Sequence, residues 1–221
     1  MKPQVLITGA AGSLGQTLVK HALAQGASVV ATYHRTSPPK DLESSARWIQ
    51  VDMSSADDVA KKIPLENYAA WIHAAGSFKW VKVDESRPED LEALLDSNLR
   101  SSFLLSRHLL PAFKKAGTGR IVFVSARATL QPTAGMGLYT ASKAALNALV
   151  LAMADEVKST RITINAVLPT IIDTPANRRD MPGADTSGWV SASDLAQFIW
   201  SLTEESSQMI HGALIPVSGR L

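Results

Sequence analysis

The sequence predicts an α/β fold: a doubly wound, largely parallel seven-stranded sheet with helices on both faces. Three observations carry this. Short apolar runs alternate with stretches of helical periodicity from end to end, the pattern of parallel strands joined by crossover helices. The N-terminus opens on a strand, a glycine-rich turn and a helix in immediate succession. The length, 221 residues, suits one α/β domain with a full core. No repeat or low-complexity linker interrupts it, so residues 1–221 are expected to form a single domain.

The elements follow in order. Gln4 to Thr8 is a short apolar run and reads as a buried strand. Gly9-Ala10-Ala11-Gly12-Ser13-Leu14-Gly15 follows as a turn. Gln16 to Gln25 is helical, with Leu18, Val19, Ala22 and Leu23 at helical spacing and Gly26 as its stop. Ser28 to Tyr33 is the second strand, Trp48 to Val51 the third and Ala70 to His73 the fourth. A long helix is expected over Pro88 to Lys115, then a fifth strand over Arg120 to Ser125. Tyr139 to Lys158 is the second long helix, Ile162 to Val167 the sixth strand and Ala213 to Val217 the last. Asp173 to Trp189 contains Pro175, Pro182, Gly183 and Gly188 and little periodicity, so it reads as a long loop of the lid kind.

Two motifs carry chemistry. In the first turn the glycines permit close approach of backbone to a pyrophosphate. The helix that follows offers free N–H groups and a positive dipole end. Strand, glycine turn and helix together predict dinucleotide binding in a Rossmann-type domain. The second motif is Tyr139-Thr140-Ala141-Ser142-Lys143. Its i, i+4 spacing puts Tyr139 and Lys143 on one helix face. A free tyrosine titrates near ~10, and an adjacent ammonium is expected to move it towards the working range as a proton shuttle. An ordinary amphipathic helix start is the alternative reading of that spacing.

Taken together these residues resemble the short-chain dehydrogenase/reductase family over essentially the whole chain. Thr8-Gly9-x-x-x-Ser13-Leu14-Gly15 resembles the family's TGxxxGxG turn, and Tyr139 to Lys143 its YxxxK. His73-Ala74-Ala75-Gly76 stands where the family has NNAG. Asn98 fits its central-helix asparagine, and Pro169 to Thr174 its PGxxxT segment. The resemblance implies an oxidoreductase in which Tyr139 donates a proton, Lys143 holds the nicotinamide ribose, and Asn98 positions a water for the relay. The alternative for Asn98 is a helix-kink asparagine satisfying backbone groups. Implied cofactor contacts are Gly9, Ala11, Ser13, Leu14, Gly15, Tyr33, His34, Arg35, Asp52, Met53, Ala74, Ala75, Gly76, Pro169, Ile172 and Thr174, beside Tyr139 and Lys143. Asp52 has a second reading as a helix N-cap, and Thr174 as a turn or cap hydroxyl.

The end of the second strand separates the two nicotinamide cofactors. An acid there holds the adenosine ribose and repels a 2′-phosphate. This chain has Tyr33-His34-Arg35-Thr36 and no acid. Arg35, with His34, suits a phosphate, so NADP(H) is expected over NAD(H). The string also resembles the YHRS stretch of pteridine reductases. A solvated basic turn is the alternative.

The family's serine, thirteen residues before the tyrosine, falls on Ala126. Ser125 is adjacent, but successive residues leaving a strand point opposite ways. Ala126 to Leu130, Gly135-Met136, Leu168-Pro169 and Asp173 to Arg178 resemble dihydropteridine reductases, which also carry alanine at that position. Ala126 and Met136 are therefore expected in the substrate pocket, and a conjugated C=N of a pterin-like molecule joins carbonyls as the expected acceptor. The chain departs from that group at Tyr33-His34-Arg35, where an acid and NADH belong, and in keeping Asn98. Trp80 and Trp189 are candidates, with Met136, to line a pocket for a flat ring, packing being the alternative. Arg178 and Arg179 lie in the loop as anion binders or as solvated charges.

Composition narrows the classes. The net charge of +2 is spread out, with no basic stripe for nucleic acid. Zero cysteine excludes disulfides, thiolate catalysis and cysteine-based metal sites, and the five histidines lack ligand spacing. No segment has the length and apolarity of a membrane span, and the first strand runs straight into the turn without a signal peptide. A cytoplasmic location is expected. Leu104, Leu105, Leu109, Leu110, Leu149 and Met153 make the two long helices apolar for single-sided burial. The family pairs these helices across a two-fold axis, so a homodimer or homotetramer is expected.

Overall fold

A computed structural model describes residues 2–219. Seven strands, all parallel, form one sheet in the order β3-β2-β1-β4-β5-β6-β9. They are β1 (Gln4–Thr8), β2 (Ser28–Tyr33), β3 (Arg47–Gln50), β4 (Ala70–His73), β5 (Thr118–Val124), β6 (Arg161–Pro169) and β9 (Leu214–Val217). The order reverses between β1 and β4, each of which continues outwards from that line. That reversal opens the crevice at the strands' C-terminal ends where α/β sheets bind ligands.

Alternate residues of each strand feed two cores. Leu6, Trp71, Ile121 and Phe123 pack with Leu105, Leu109, Leu146 and Val150 from α4 (Ser101–Ala116) and α5 (Gly137–Val157). Val5, Ile7, Ile72 and Val122 pack on the other face with Leu18 and Val19 of α1 (Ser13–Ala24) and Leu195 and Ile199 of α7 (Ala192–Ser201). A strand buried on both faces reads as a continuous apolar run. That is why β1, β2 and β4 fall on their expected bounds.

Other elements differ from expectation. Helix α1 begins at Ser13, not Gln16, so the second half of the glycine turn is already helical. The long helix expected over residues 88–115 is α3 (Pro88–Leu95), a π-helical turn over Asp96–Arg100, and α4. The turn widens where Ser101 and Ser102 hydroxyls bond back to the carbonyls of Ser97 and Asn98, competing with the backbone ladder. Short α2 (Ala56–Lys62) is capped by Ser55, whose hydroxyl accepts from Asp58 N. Asp52 is therefore not that cap: its carboxylate accepts from Ser54 N and Oγ. The expected loop over 173–189 contains α6 (Pro175–Asp180) and is closed by a two-residue parallel pair, β7 (Ile172–Asp173) with β8 (Val190–Ser191).

The helix leucines also need correction. Leu105, Leu109, Leu110 and Met153 are buried within the chain, so they do not argue for a partner. What remains outside is a groove of about 610 Å³ that includes Leu99, Phe103, Leu104 and Leu149. No helix among the described residues is long and apolar enough to cross a membrane.

Gly15 shows how tightly the first turn is built. A Cβ there would lie 2.7 Å from Ala10 Cα and closer still to the carbonyl oxygen of Gly9. Helix propensity alone favours alanine by ~1 kcal/mol. Overlap with backbone that cannot yield costs ~1–3 kcal/mol or more and wins. Gly15→Ala should lower the urea unfolding free energy, whereas Gly12→Ala, with its Cβ 3.3 Å from Gly9 O, should cost less. A neutral or stabilising Gly15→Ala would contradict this packing.

Candidate active site

The site lies along the C-terminal ends of β1, β2, β4 and β5. A cleft of about 560 Å³ there is lined by Gly9, Ala11, Tyr33, His34, Arg35, Asp52, Met53, Ala74, Ala75 and Gly76. The sequence placed all ten in the cofactor site. Gly12, Thr36, Ser54, Ser77, Asp96 and Ser97 also line it and were missed. Gly12, Thr36 and Ser54 adjoin residues already singled out and were readable there; Ser77, Asp96 and Ser97 come from elements that only the fold brings to the crevice.

The fit to a dinucleotide rests on the shape of this cradle. Gly9 has φ +76°, and a Cβ on it would lie 2.5 Å from Ala75 N. The first turn and the segment after β4 therefore lie back to back. Gly9 N donates to Thr32 Oγ1, which fixes the turn against β2. No side chain caps the N-terminus of α1, so its first-turn N–H groups are left for an anion. Ser13 is exposed at that end, while Leu14 and Gly15 are buried beneath it. Leu14 and Gly15 thus act on the turn by packing and not from the cleft wall.

The end of the cleft beside β2 and β3 is asymmetric in charge. Hydrogen bonds from Ser54 hold the Asp52 carboxyl below its usual range, helped by the charge of His34. Arg35 is exposed on the cleft and takes part in no salt bridge among the described residues.

Tyr139 and Lys143 lie one turn apart in α5. Lys143 is buried, and its Nζ donates to Val124 O at the end of β5, at 2.9 Å. Burial pulls the ammonium down to about 8. Burial also pushes the Tyr139 phenol up, to about 12. The expected lowering of Tyr139 by its lysine is thus absent here: desolvation is the cause at work, and Lys143 spends its hydrogen bond on the strand. The ring of Phe78 stands edge-on to Tyr139, with centroids 4.9 Å apart.

Asn98 ties the parts together. Fully buried in the π turn, it accepts from Ser77 N at 2.9 Å and donates to Ser77 O at 3.0 Å. It also donates to Ser142 Oγ at 2.9 Å, and that hydroxyl donates to Tyr139 O at 2.7 Å. Its side chain thus satisfies backbone groups, as the kink reading expected, but those of a distant segment. A Cβ on Gly76 would lie 2.6 Å from Asn98 Oδ1 and 3.0 Å from Lys143 Nζ. His73 is buried with Nδ1 2.7 Å from Thr8 Oγ1 and Nε2 unpartnered. Burial, then the charge of Lys143, pulls it down to about 3, so the ring stays neutral.

At the strand end, Ala126 is buried and Ser125 Oγ is buried without a hydrogen-bond partner. Met136 precedes α5 and is half-buried. Pro169, Ile172 and Thr174 do not line the cleft. Thr174 caps α6, its hydroxyl accepting from Asn177 N. Ile172 packs against the core on the α1 side. Arg178 is engaged by Asp173 through two bonds of 2.6 and 2.7 Å, which removes it as a free anion binder. Among the described residues no group of three or more His, Asp or Glu could hold a metal ion.

Known proteins match this architecture. The 3-oxoacyl-(acyl-carrier-protein) reductase of Pseudomonas aeruginosa is 26% identical over 235 residues, covering 97% of this chain and 95% of that protein. An NADPH-dependent aldehyde reductase-like protein, chloroplastic, of Arabidopsis thaliana is 26% identical over 250 residues, covering 97% and 92%. A solved structure described as a short chain dehydrogenase/reductase family protein superposes with a TM-score of 0.88. It covers 97% of this chain and 95% of that one at 23% identity, a likeness of fold alone. No relative among these singles out the dihydropteridine reductases. The short chain dehydrogenase profile matches residues 3–184, and the chain belongs to that family of NAD(P)-dependent oxidoreductases.

Proposed function

We propose that this protein reduces a carbonyl or conjugated C=N group of a small molecule with NADP(H), using Tyr139 as proton donor and Lys143 as its partner. The observation that carries the reading is the α5 face that sets a protonated phenol one turn from a buried ammonium at the crevice. When bound, the cofactor supplies hydride. Gly9, Ala11, Ser13, Leu14 and Gly15 would build the phosphate cradle. Tyr33, His34 and Arg35 would meet the adenosine ribose and its 2′-phosphate. Asp52 and Met53 would flank the adenine, with Ala74, Ala75 and Gly76 behind the ribose. Pro169, Ile172 and Thr174, although outside the cleft wall, would serve the nicotinamide side, with the Thr174 hydroxyl already accepting from Asn177 N. Lys143 would hold the nicotinamide ribose hydroxyls, and Asn98 would fix the frame of the relay.

The chemistry suits reduction. A phenol pushed up to about 12 stays protonated at neutral pH, so the acid is always loaded. The Tyr139 O–H passes its proton to the oxygen or nitrogen left negative by hydride addition, giving an alcohol or amine. Lys143, lowered to about 8, is still mostly charged near neutrality and favours the phenolate formed. Alanine at position 126 leaves no hydroxyl for a carbonyl oxygen, which supports an acceptor whose charge spreads over a conjugated system, as in a pterin. The names of the two relatives support a carbonyl. The absence of an acid after β2 and the uncommitted Arg35 support NADP(H), as does the NADPH in the name of the Arabidopsis relative. The groove with Phe103 and Leu149 supports a homo-oligomer. A second reading, a non-catalytic NADP(H)-binding regulator, draws on the Ala126 position alone. NADPH consumption with a quinonoid dihydropterin and a panel of ketones, aldehydes and quinones separates the two.

Tyr139→Phe removes the donor and keeps the ring packing. Turnover should fall by ~10²-fold or more, with cofactor affinity little changed. Turnover near the wild-type value would remove Tyr139 from the mechanism.

Arg35→Ala should raise the Kd for NADPH by ~10-fold or more and barely move that for NADH, since one charged hydrogen bond to phosphate is lost. Equal losses, measured by fluorescence titration, would defeat the NADP(H) assignment.

A further inference from the structure

We propose that Phe78 and Trp80 form a fixed aromatic lip beside Tyr139 that selects substrates carrying a planar ring. The proposal rests on the reductase reading above and names its substrate class.

Alternate residues of the segment after β4 are stitched down. Ser77 is held by Asn98 through both its N–H and its carbonyl. Lys79 Nζ lies 2.5 Å from Asp90 Oδ1, and that carboxylate is itself almost buried. Val81 N donates to Gly135 O at 2.8 Å. Between these anchors stand two large rings that the fold does not cover. Phe78 is 57% exposed and Trp80 56% exposed. Phe78 meets Tyr139 edge-on. Trp80 lies on Gly135, where a Cβ would be 2.6 Å from Cζ2 of the indole. Gly135 stands four residues before Tyr139, so both rings flank the entrance to α5.

This arrangement is pre-organised. The segment is anchored by the chain's own bonds at Ser77, Lys79 and Val81, so a ligand ring pays little to find its partners. The amine of Lys79 is tied to Asp90, a carboxylate that Arg87 shares. Rings gain from edge-to-face or offset contact. A planar conjugated group next to the reacting carbonyl would use both rings, whereas a flexible alkyl chain offers neither a face nor an edge.

The test uses two vicinal diones, 1-phenylpropane-1,2-dione and pentane-2,3-dione, each reduced by NADPH to a hydroxyketone with one hydride and one proton. The readout is the ratio of kcat/KM, aryl over alkyl. Trp80→Ala and Phe78→Leu should each lower that ratio by ~10-fold, the scale of one lost aromatic contact in a pocket. Trp80→Phe keeps a ring and should return it to within about 3-fold of wild type. A ratio unchanged in both folded variants overturns the lip. If wild type reduces neither dione, that counts against the reductase reading, and the lip is judged by indole, a ring with nothing to reduce. Saturation-transfer NMR should show indole bound to wild type and lost in Trp80→Ala; indole bound equally to both overturns the lip. Indole binding that fades as protein concentration rises would assign the rings to a second copy of the chain, and overturns it as well.

Discussion

The buried ammonium of Lys143 is the constraint around which this end of the molecule is built. A charge taken out of water is costly unless it is bonded. Lys143 has one strong bond, to the last carbonyl of β5. Space for it exists because Gly76 has no side chain: a Cβ there would meet both Lys143 Nζ and Asn98 Oδ1. His73 nearby stays neutral through burial and the charge of Lys143. Strand end, glycine, asparagine and histidine are thus conditions on one another. The pH dependence has a definite sign. A lysine pulled down to about 8 in the fold binds its proton better when the chain unfolds. Stability from this group is therefore lower at neutral pH and rises as pH climbs from about 8 through the ordinary lysine range.

Tyr139 sits under the same desolvation with the opposite charge change. Burial raises the phenol and lowers the lysine, so the two pKa values are driven apart, yet both groups remain protonated near pH 7. That is the state in which a donor and a stabilising charge are both loaded. It suits the proton delivery of the proposed reduction. The asparagine clamp connects this pair to the cleft. Ser77, Asn98, Ser142 and the Tyr139 carbonyl form one hydrogen-bonded chain, so the segment after β4 and the first turn of α5 cannot shift independently.

Much of the fold was legible because it rests on local pattern. The buried strands β1, β2 and β4 are apolar runs with clear ends. Ten of the cleft residues belong to motifs whose spacing is visible in one dimension. What was not legible depends on tertiary partners. The π turn coincides with back-bonding by Ser101 and Ser102, and the partners of the Asn98 side chain across the crevice are known only from the fold. The start of α1 at Ser13 was hidden because Ser-Leu-Gly reads as turn until the packing of Gly15 on Gly9 is known. Leucines at 105, 109 and 110 looked surplus until the sheet beneath them was in place. The direction of the Tyr139 shift was misread for the same reason: spacing shows which residues are neighbours, and only burial shows which effect prevails. Phe78, two residues past the His-Ala-Ala-Gly string, carried no periodic signal at all.

The account stands or falls on whether Lys143 is desolvated as described. Protein carrying ¹³C-labelled lysine can be titrated from neutral pH into the alkaline range by NMR, following the Cε shifts, with Lys143→Met to assign the signal. One lysine, absent from the variant, should titrate at about 8. If every lysine titrates near ~10.4, the ammonium is solvated, and the frame argued here around it is wrong.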